Sequence, residues 1–325
     1  MKLSDVVQHF LSDCRIRGRT QGTLVSYTQR LGVLVQVLAT LCGVTELEQV
    51  TVFHLRRCVE YMMSPEFPSL GGAARETGVL ALTTLKGYIL VFKAFFHWCY
   101  QEELISQDVV ARLRIPKVPE KVTRTLEPSH IEVMLQSCDT KTDMGFRDYA
   151  ILLLLFDAGL RRSEAATLRV EDIHETYVKV YGKGRKEREV GIHPETAKVL
   201  WKYIHKYRHP KDSNEQGLFL SYWRDRPLAS SGIWEVVRRA KEAAGLGDMK
   251  ITPHMFRHTF ARLYLESGGE IFNLSREMGH SYVQVTEKYL KHFTSKQARK
   301  QHTTFSPVQT LHLRKGRGSR RRKTV

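Results

Sequence analysis

Val178-Lys179-Val180-Tyr181-Gly182-Lys183-Gly184-Arg185-Lys186-Glu187-Arg188-Glu189-Val190-Gly191-Ile192 is where the apolar period of this chain changes from helical to alternating. Val178 and Val180 on one arm, and Val190 and Ile192 on the other, flank the glycine-bounded turn Gly182-Lys183-Gly184-Arg185, the pattern of a short β-hairpin. The segments around it read as helix. Glu127 to Cys138 and Phe146 to Leu160 precede the hairpin. Glu195 to Tyr207, Gly232 to Ala244, Pro253 to Ser267, Ile271 to Met278 and Val283 to Leu290 follow it. The longest apolar run, Tyr149 to Phe156, stops at Asp157 and predicts a buried core helix. The fold class expected is mainly α with one small β-hairpin.

Residues up to about Leu113 also read as mostly helical. Leu31, Val33, Leu34, Val37 and Leu38 recur at helical spacing after Thr23-Leu24-Val25-Ser26-Tyr27, and Thr51 to Met63 and Thr83 to Glu103 keep the same period. Ser64 to Thr77, rich in Pro and Gly, predicts a loop. Ile115-Pro116-Lys117-Val118-Pro119-Glu120-Lys121 carries two prolines and alternating charge, the composition of an extended linker. These breaks suggest a helical domain at 1–113, a linker at 114–124, a second domain at 125–301 and a tail at 302–325. The tail's Arg314, Lys315, Arg317, Arg320, Arg321, Arg322 and Lys323 form a low-complexity basic segment, too polar to build a core of its own.

A length of 325 residues suits two domains with a core each. The formal charge of +17 points to a polyanionic partner, nucleic acid ahead of an acidic membrane surface. From Lys288 onward the chain holds 12 Lys or Arg and no Asp or Glu, so much of the excess lies at that end. Five widely spaced cysteines without a CxxC pair indicate neither a zinc site nor a disulfide framework, and fit free thiols in a reducing compartment. Met1-Lys2-Leu3-Ser4-Asp5 lacks the apolar core of a signal peptide, and no uninterrupted apolar run approaches the ~18 residues of a membrane span. A cytoplasmic protein with no membrane partner is expected.

The residues that carry chemistry are spread along the second domain. Arg161 sits in Gly159-Leu160-Arg161-Arg162-Ser163-Glu164, and Lys183 at the hairpin tip. His254 and Arg257 share a helix face, and Gly279-His280 is followed nine residues later by Tyr289. Each also has an ordinary structural reading: a helix start in which Glu164 pairs Arg161, a solvated turn, a helix cap, a packed aromatic. Their conjunction is more specific. Two guanidiniums, an ammonium, two imidazoles and a phenol are what a protein needs to attack a phosphodiester without a metal. Arginine pairs bidentately with phosphate and keeps its charge, whereas lysine can give a proton to a leaving oxygen. A tyrosine nucleophile is only ~0.1% ionised at pH 7, a deficit of about 4 kcal/mol. Neighbouring cations and a base such as His254 would have to offset it. No Walker loop or acidic metal cluster is present in the sequence, so neither a metal nor a cofactor is expected.

In this order and spacing the motifs resemble those of the tyrosine recombinases, the phage integrase and Xer-like family, and the resemblance runs over almost the whole chain. The family's G-L-R-x-S-E-x-x-x-L stands as Gly159 to Leu168, and its G-K-G-x-K-x-R as Gly182 to Arg188. H-x-x-R-H stands as His254-Met255-Phe256-Arg257-His258, with the G-H box and nucleophile as Gly279-His280 and Tyr289. Thr23 to Tyr27, Phe95-Phe96-His97-Trp98 and Ile115-Pro116-Lys117 resemble the family's core-binding domain and linker.

The resemblance implies a site-specific recombinase acting on double-stranded DNA as a homotetramer on paired sites. An accessory directionality protein is a further partner that it allows. Tyr289 would attack the scissile phosphate to give a 3′-phosphotyrosyl link, and Arg161 and Arg257 would hold the nonbridging oxygens. Lys183 would protonate the leaving 5′-oxygen. His254 would act as base or hydrogen-bond donor, His280 would contact the phosphate, and Glu164 would orient Arg161. Tyr282, two residues after His280, and Tyr264, on the His254 helix, are the competing tyrosines. The basic tail would track DNA phosphates, and Gln297 to Val308 would dock onto a neighbouring subunit. The chain departs from the family pattern at Arg276-Glu277-Met278, where a more apolar run is usual. A type IB topoisomerase and a catalytically silent DNA-binding relative stay open as alternatives at this stage.

Overall fold

The computed structural model describes residues 1–67, 79–119, 124–182, 187–223, 226–280, 282–287 and 289–290. Most of the Ser64 to Thr77 loop, part of the linker, Lys183 at the hairpin tip, and the segments Gln297 to Val308 and Arg314 to Lys323 lie outside the described residues. The chain forms two compact units, Met1–Lys121 and Val122–Val325.

The first unit contains α1 (Leu3–Ile16), α2 (Gln21–Cys42), α3 (Val52–Met63) and α4 (Leu82–Gln101). The helix starts have local causes: Thr20 Oγ1 accepts from the Thr23 amide and Thr51 Oγ1 from the His54 amide, so each cap satisfies an otherwise orphan donor. Gly43 closes α2 at φ +66°, where a side chain would be strained. Leu31, Leu34 and Leu38 of α2 meet Phe92, Phe95 and Phe96 of α4 in one fully buried cluster, each apolar side chain contributing roughly 1.5–3 kcal/mol. Phe10 of α1 joins it edge-on against Phe95 at 5.5 Å. The segment after α4 is pinned by Lys93 Nζ, which donates to the carbonyls of Val110 (2.6 Å) and Leu113 (3.1 Å). By length and composition α2 is long and apolar enough to cross a bilayer, which uninterrupted runs alone do not reveal because polar residues are interspersed along it. Its Leu31, Leu34 and Leu38 face is committed to the unit's core.

The second unit contains α5 (Pro128–Gln136), α6 (Asp143–Ala158), α7 (Arg162–Thr167), the strands β1 (Tyr177–Tyr181) and β2 (Glu187–Gly191), then α8 (Pro194–Lys202), α9 (Ser230–Ala243), α10 (Pro253–Glu266), α11 (Ile271–Glu277) and α12 (Gln284–Glu287). The mainly helical fold with one hairpin is the one the sequence predicts. α6 is the central helix: Ala150, Ile151, Leu152, Leu154 and Leu155 are fully buried, and it packs against α5, α8, α9 and α10. α8 ends sooner than predicted, and Tyr203–Tyr207 continue as a widened π-turn that stacks Tyr207 on Phe146 with ring centroids 4.1 Å apart. β1 and β2 pair antiparallel with Val178 opposite Val190 and Val180 opposite Arg188. Arg188 therefore shares the inward face with the valines. All five cysteines are free; Cys14, Cys58 and Cys99 are buried and Cys42 and Cys138 half-buried.

Candidate active site

α6 delivers the first arginine. Gly159 terminates the helix at φ +55°, and a Cβ there would lie 2.3 Å from the Phe260 ring, so both conformation and space call for glycine. The chain then turns into α7 with Arg161 at its N-cap. Glu164, three residues on, accepts from the Arg161 amide through Oε2 (2.8 Å) and from the Arg161 guanidinium through Oε1 (2.7 Å). The ordinary reading of this motif, a helix start with an internal ion pair, is thus present in full. A second guanidinium is superimposed on it. Arg188, reaching in from β2, forks onto both Glu164 oxygens at 3.0 Å. Glu164 is only 4% exposed, and burial alone would raise its pKa. The hydrogen bonds from Arg188, the Arg161 amide and the Arg161 side chain outweigh that and hold it down at about 2.

Three arginines close on the end of α11. Arg188 Nε donates to the Glu277 carbonyl (2.7 Å), Arg257 to the Met278 carbonyl (2.6 Å), and Arg161 to the Gly279 carbonyl (3.2 Å). These carbonyls lie at the C-terminal end of α11 and just beyond it, and the guanidiniums satisfy them while opposing the negative end of the helix dipole. Gly279, at φ +61°, leaves room for the arrangement, since a Cβ would come within 2.9 Å of the Arg188 guanidinium carbon. Arg257 also donates to the Gly159 carbonyl at 2.8 Å and is only 2% exposed. Burial, followed by the nearby Arg161 charge, lowers its pKa to about 10. Arg161 remains 38% exposed, so its guanidinium is accessible to an anion from outside.

Tyr289 lies in a small apolar cluster with Ala261, Leu265, Leu274 and Met278. It is 1% exposed, and burial pushes its phenol up to about 12 despite the opposing pull of Arg257 and Arg161. Its hydroxyl is 2.7 Å from Nδ1 of His258. His254 is exposed at the start of α10, its ring edge-on to His258 with centroids 4.3 Å apart. His280 links two neighbours: Nε2 lies 3.1 Å from an Arg257 nitrogen and Nδ1 2.7 Å from the Thr286 hydroxyl. Tyr282 is exposed, and Tyr264 packs at the edge of the Tyr289 cluster.

Arg161, Glu164, Arg257, His280 and Tyr289, separated in sequence by up to 128 positions, thus converge on the turn after α11. Met278 is buried, Arg276 exposed, and Glu277 contributes its main-chain oxygen, so the unusual Arg276-Glu277-Met278 run packs without difficulty. Sequence reasoning gave no role to Arg188 or His258. Both had a legible signal: Arg188 keeps the inward alternation of Val190 and Ile192, and His258 lies one helical turn after His254. Among the described residues no group of three or more His, Cys, Asp or Glu side chains is arranged to hold a metal ion.

Fold and centre together define a catalytic unit of the tyrosine-recombinase class. The chain belongs to the phage integrase family, whose profile matches residues 124–296. Tyrosine recombinase XerD of Listeria monocytogenes serotype 4b (strain F2365) is 28% identical over 312 residues, covering 94% of this chain and 99% of the relative. XerD of Listeria monocytogenes serovar 1/2a (strain ATCC BAA-679 / EGD-e) is 30% identical over 226 residues, covering 68% and 75% respectively. Among solved structures, XerH bound to palindromic difH substrate in a post-cleavage complex shares the fold at a TM-score of 0.68 and 18% identity, over 89% of this chain and 80% of that one. A lambda integrase (75-356) dimer bound to a COC' core site does so at 0.65 and 18%, over 88% and 97%.

Proposed function

We propose that this chain is a site-specific recombinase that cleaves and rejoins duplex DNA through a 3′-phosphotyrosyl intermediate formed by Tyr289. The observation that carries the reading is the convergence of Arg161, Arg257 and His280 at the turn after α11, with the Tyr289 phenol near enough for both arginines to act on it. Arg161 and Arg257 take the nonbridging oxygens of the scissile phosphate, and His280, held by Thr286 and Arg257, gives it a further contact. Glu164 keeps Arg161 in place. Lys183 protonates the leaving 5′-oxygen, and His254, exposed at the start of α10, donates a hydrogen bond to the phosphate. The phosphotyrosyl bond conserves the energy of the diester, so rejoining needs neither ATP nor metal.

Arg257, buried and tied to two main-chain carbonyls, and Arg161, held by Glu164, are positioned before DNA arrives, so little reorganisation is needed at the moment of reaction. Tyr289, by contrast, is held in a dry setting in which ionisation at neutral pH would cost on the order of 7 kcal/mol, given a pKa of about 12. Its proton has to leave as attack proceeds. Relatives carrying recombinase names, and the DNA-bound complexes that share the fold, among them a lambda integrase tetramer bound to a Holliday junction, support DNA as the substrate and assembly of four subunits. The basic tail supplies phosphate contacts, Gln297 to Val308 docks on a neighbouring subunit, and an accessory directionality protein sets the outcome where one is present. The enzyme works in the cytoplasm.

The test is to incubate the protein with supercoiled DNA carrying its own genomic flanks, without metal or ATP, and to quench with detergent. Wild type should give a covalent adduct at a 3′-phosphate and Tyr289→Phe none. Tight binding without an adduct would favour the silent DNA-binding alternative. Relaxation of DNA without strand exchange between paired sites would favour the topoisomerase alternative.

A further inference from the structure

We infer that His258 is the proton acceptor for Tyr289, the general base on the nucleophile side of the reaction; this rests on the reading that Tyr289 attacks a DNA diester. His258 Nδ1 is 2.7 Å from the Tyr289 hydroxyl, inside the range for direct proton transfer. The other two imidazoles are placed for other work. His254 lies edge-on against the His258 ring, exposed at the start of α10. His280 faces a guanidinium nitrogen of Arg257 through Nε2, and a guanidinium only donates. Nε2 must therefore accept, which leaves the His280 proton on Nδ1, donated to the Thr286 hydroxyl. The one basic nitrogen of His280 is thereby committed to Arg257. For Nδ1 to take the phenolic proton, the His258 proton has to reside on Nε2.

The step balances without a further reactant. As the Tyr289 oxygen forms its bond to phosphorus, its proton passes to His258 Nδ1. The bond from phosphorus to the 5′-oxygen breaks, and that oxygen takes a proton from Lys183. Rejoining runs the same transfers backward, with the His258 imidazolium returning its proton to the phenol oxygen. Among the described residues, the charged and titratable groups around this pair include His254 one turn earlier on α10, Arg257 beside it on α10, and Arg161 from α7. An acid limb in the rate profile could therefore come from His254 as well, and the test has to separate them.

The substrate is a duplex carrying the cleavage site mapped with the wild-type enzyme, made once with the natural 5′-oxygen and once with sulfur at that bridging position. Sulfur leaves without needing a proton, so it relieves a missing acid but not a missing base. His258→Asn, which keeps a polar group near Nδ1 but cannot take a proton, should form adduct ~10²–10⁴-fold more slowly at unchanged DNA affinity. Sulfur should restore Lys183→Ala and leave His258→Asn slow. The acid limb of the wild-type profile should persist in His254→Asn and vanish in His258→Asn. Added imidazole should partly restore His258→Gly, a rescue that only a folded active site can show. Adduct formation by His258→Asn at or above the wild-type rate, or its full recovery on the sulfur substrate, would overturn the assignment. If wild type forms no adduct, or Tyr289→Phe still does, the recombinase reading fails and the assignment falls with it.

Discussion

The two units solve the problem of a folded interior in opposite ways. Every buried polar or charged side chain among the described residues (Arg147, Glu164, Asp172, Thr196, Arg257, Thr259, Ser275 and Thr286) belongs to the second unit. Among the described residues, the first unit's buried side chains are hydrophobic ones, with the indole nitrogen of Trp98 as a buried polar atom. An apolar core is the cheaper solution, because a buried charge loses its hydration and needs a matched partner to recover it. The second unit carries that cost where Glu164, Arg161, Arg188 and Arg257 gather. Local rules that a chain breaks without structural gain tend to mark its working site, and here the break coincides with the residues that the sequence motifs single out.

The largest test of this contrast is Glu164→Ala. It would leave Arg161 and Arg188 without their shared counter-ion beside the already buried Arg257, and should destabilise the second unit by about 3–5 kcal/mol in urea unfolding. A loss under about 1 kcal/mol, the range of a surface ion pair, would mean that the network is not a buried one and that the units do not differ in kind. Acid provides the second test. The Glu164 pKa is lowered from 4.5 to about 2, so its ionised form contributes about 3 kcal/mol of stability that is complete above pH 4.5 and is lost as pH falls through the window down to about 2. Wild type should lose stability across that window, and Glu164→Gln should lose less across the same window.

Glycines sharpen the comparison at smaller scale. Gly43 in the first unit and Gly279 in the second both have positive φ, +66° and +61°. A Cβ at Gly43 would meet nothing within 4 Å, whereas one at Gly279 would press on the guanidinium that Glu164 and the Glu277 carbonyl hold in place. Gly43→Ala should cost the conformational penalty alone, about 1 kcal/mol, and leave adduct formation untouched. Gly279→Ala should cost about 1–2 kcal/mol and slow adduct formation as well, because Arg188 must move. Equal effects at the two positions would show that the Arg188 fork has slack.

What was legible in the sequence follows from how each feature is encoded. Most helices and the hairpin are written locally, in the spacing of residues such as Leu31, Leu34 and Leu38 or Val178 and Val180, whereas the sequence does not delimit α1 and α7, and α8 stops at Lys202 rather than Tyr207. Arg161, Arg257, His280 and Tyr289 could be found because short motifs flank each of them. The parts that stayed hidden are relations between elements. Nothing in one stretch says that the Glu277, Met278 and Gly279 carbonyls will each receive a guanidinium from a different element. His258 was visible as a letter in a motif, but its partner is 31 positions away, and only the packing of Tyr289 onto α10 and α11 makes it a neighbour.

The smallest expected effect probes the polar tie that the first unit does have. Lys93 donates to the Val110 and Leu113 carbonyls from a half-buried position, outside the apolar cluster that α1 to α4 enclose. Lys93→Met keeps most of the apolar stem and removes the ammonium, which leaves two carbonyls that water can partly serve. The loss should be about 0.5–1.5 kcal/mol, the net worth of an ordinary intramolecular hydrogen bond, and it should show no dependence on pH between 2 and 4.5, since no carboxylate is involved. Adduct formation from bound DNA should be unchanged, because the tie touches none of the groups around Tyr289. A loss as large as that of Glu164→Ala would mean that the first unit also depends on a buried charge, and the division of labour between the two interiors would have to be abandoned.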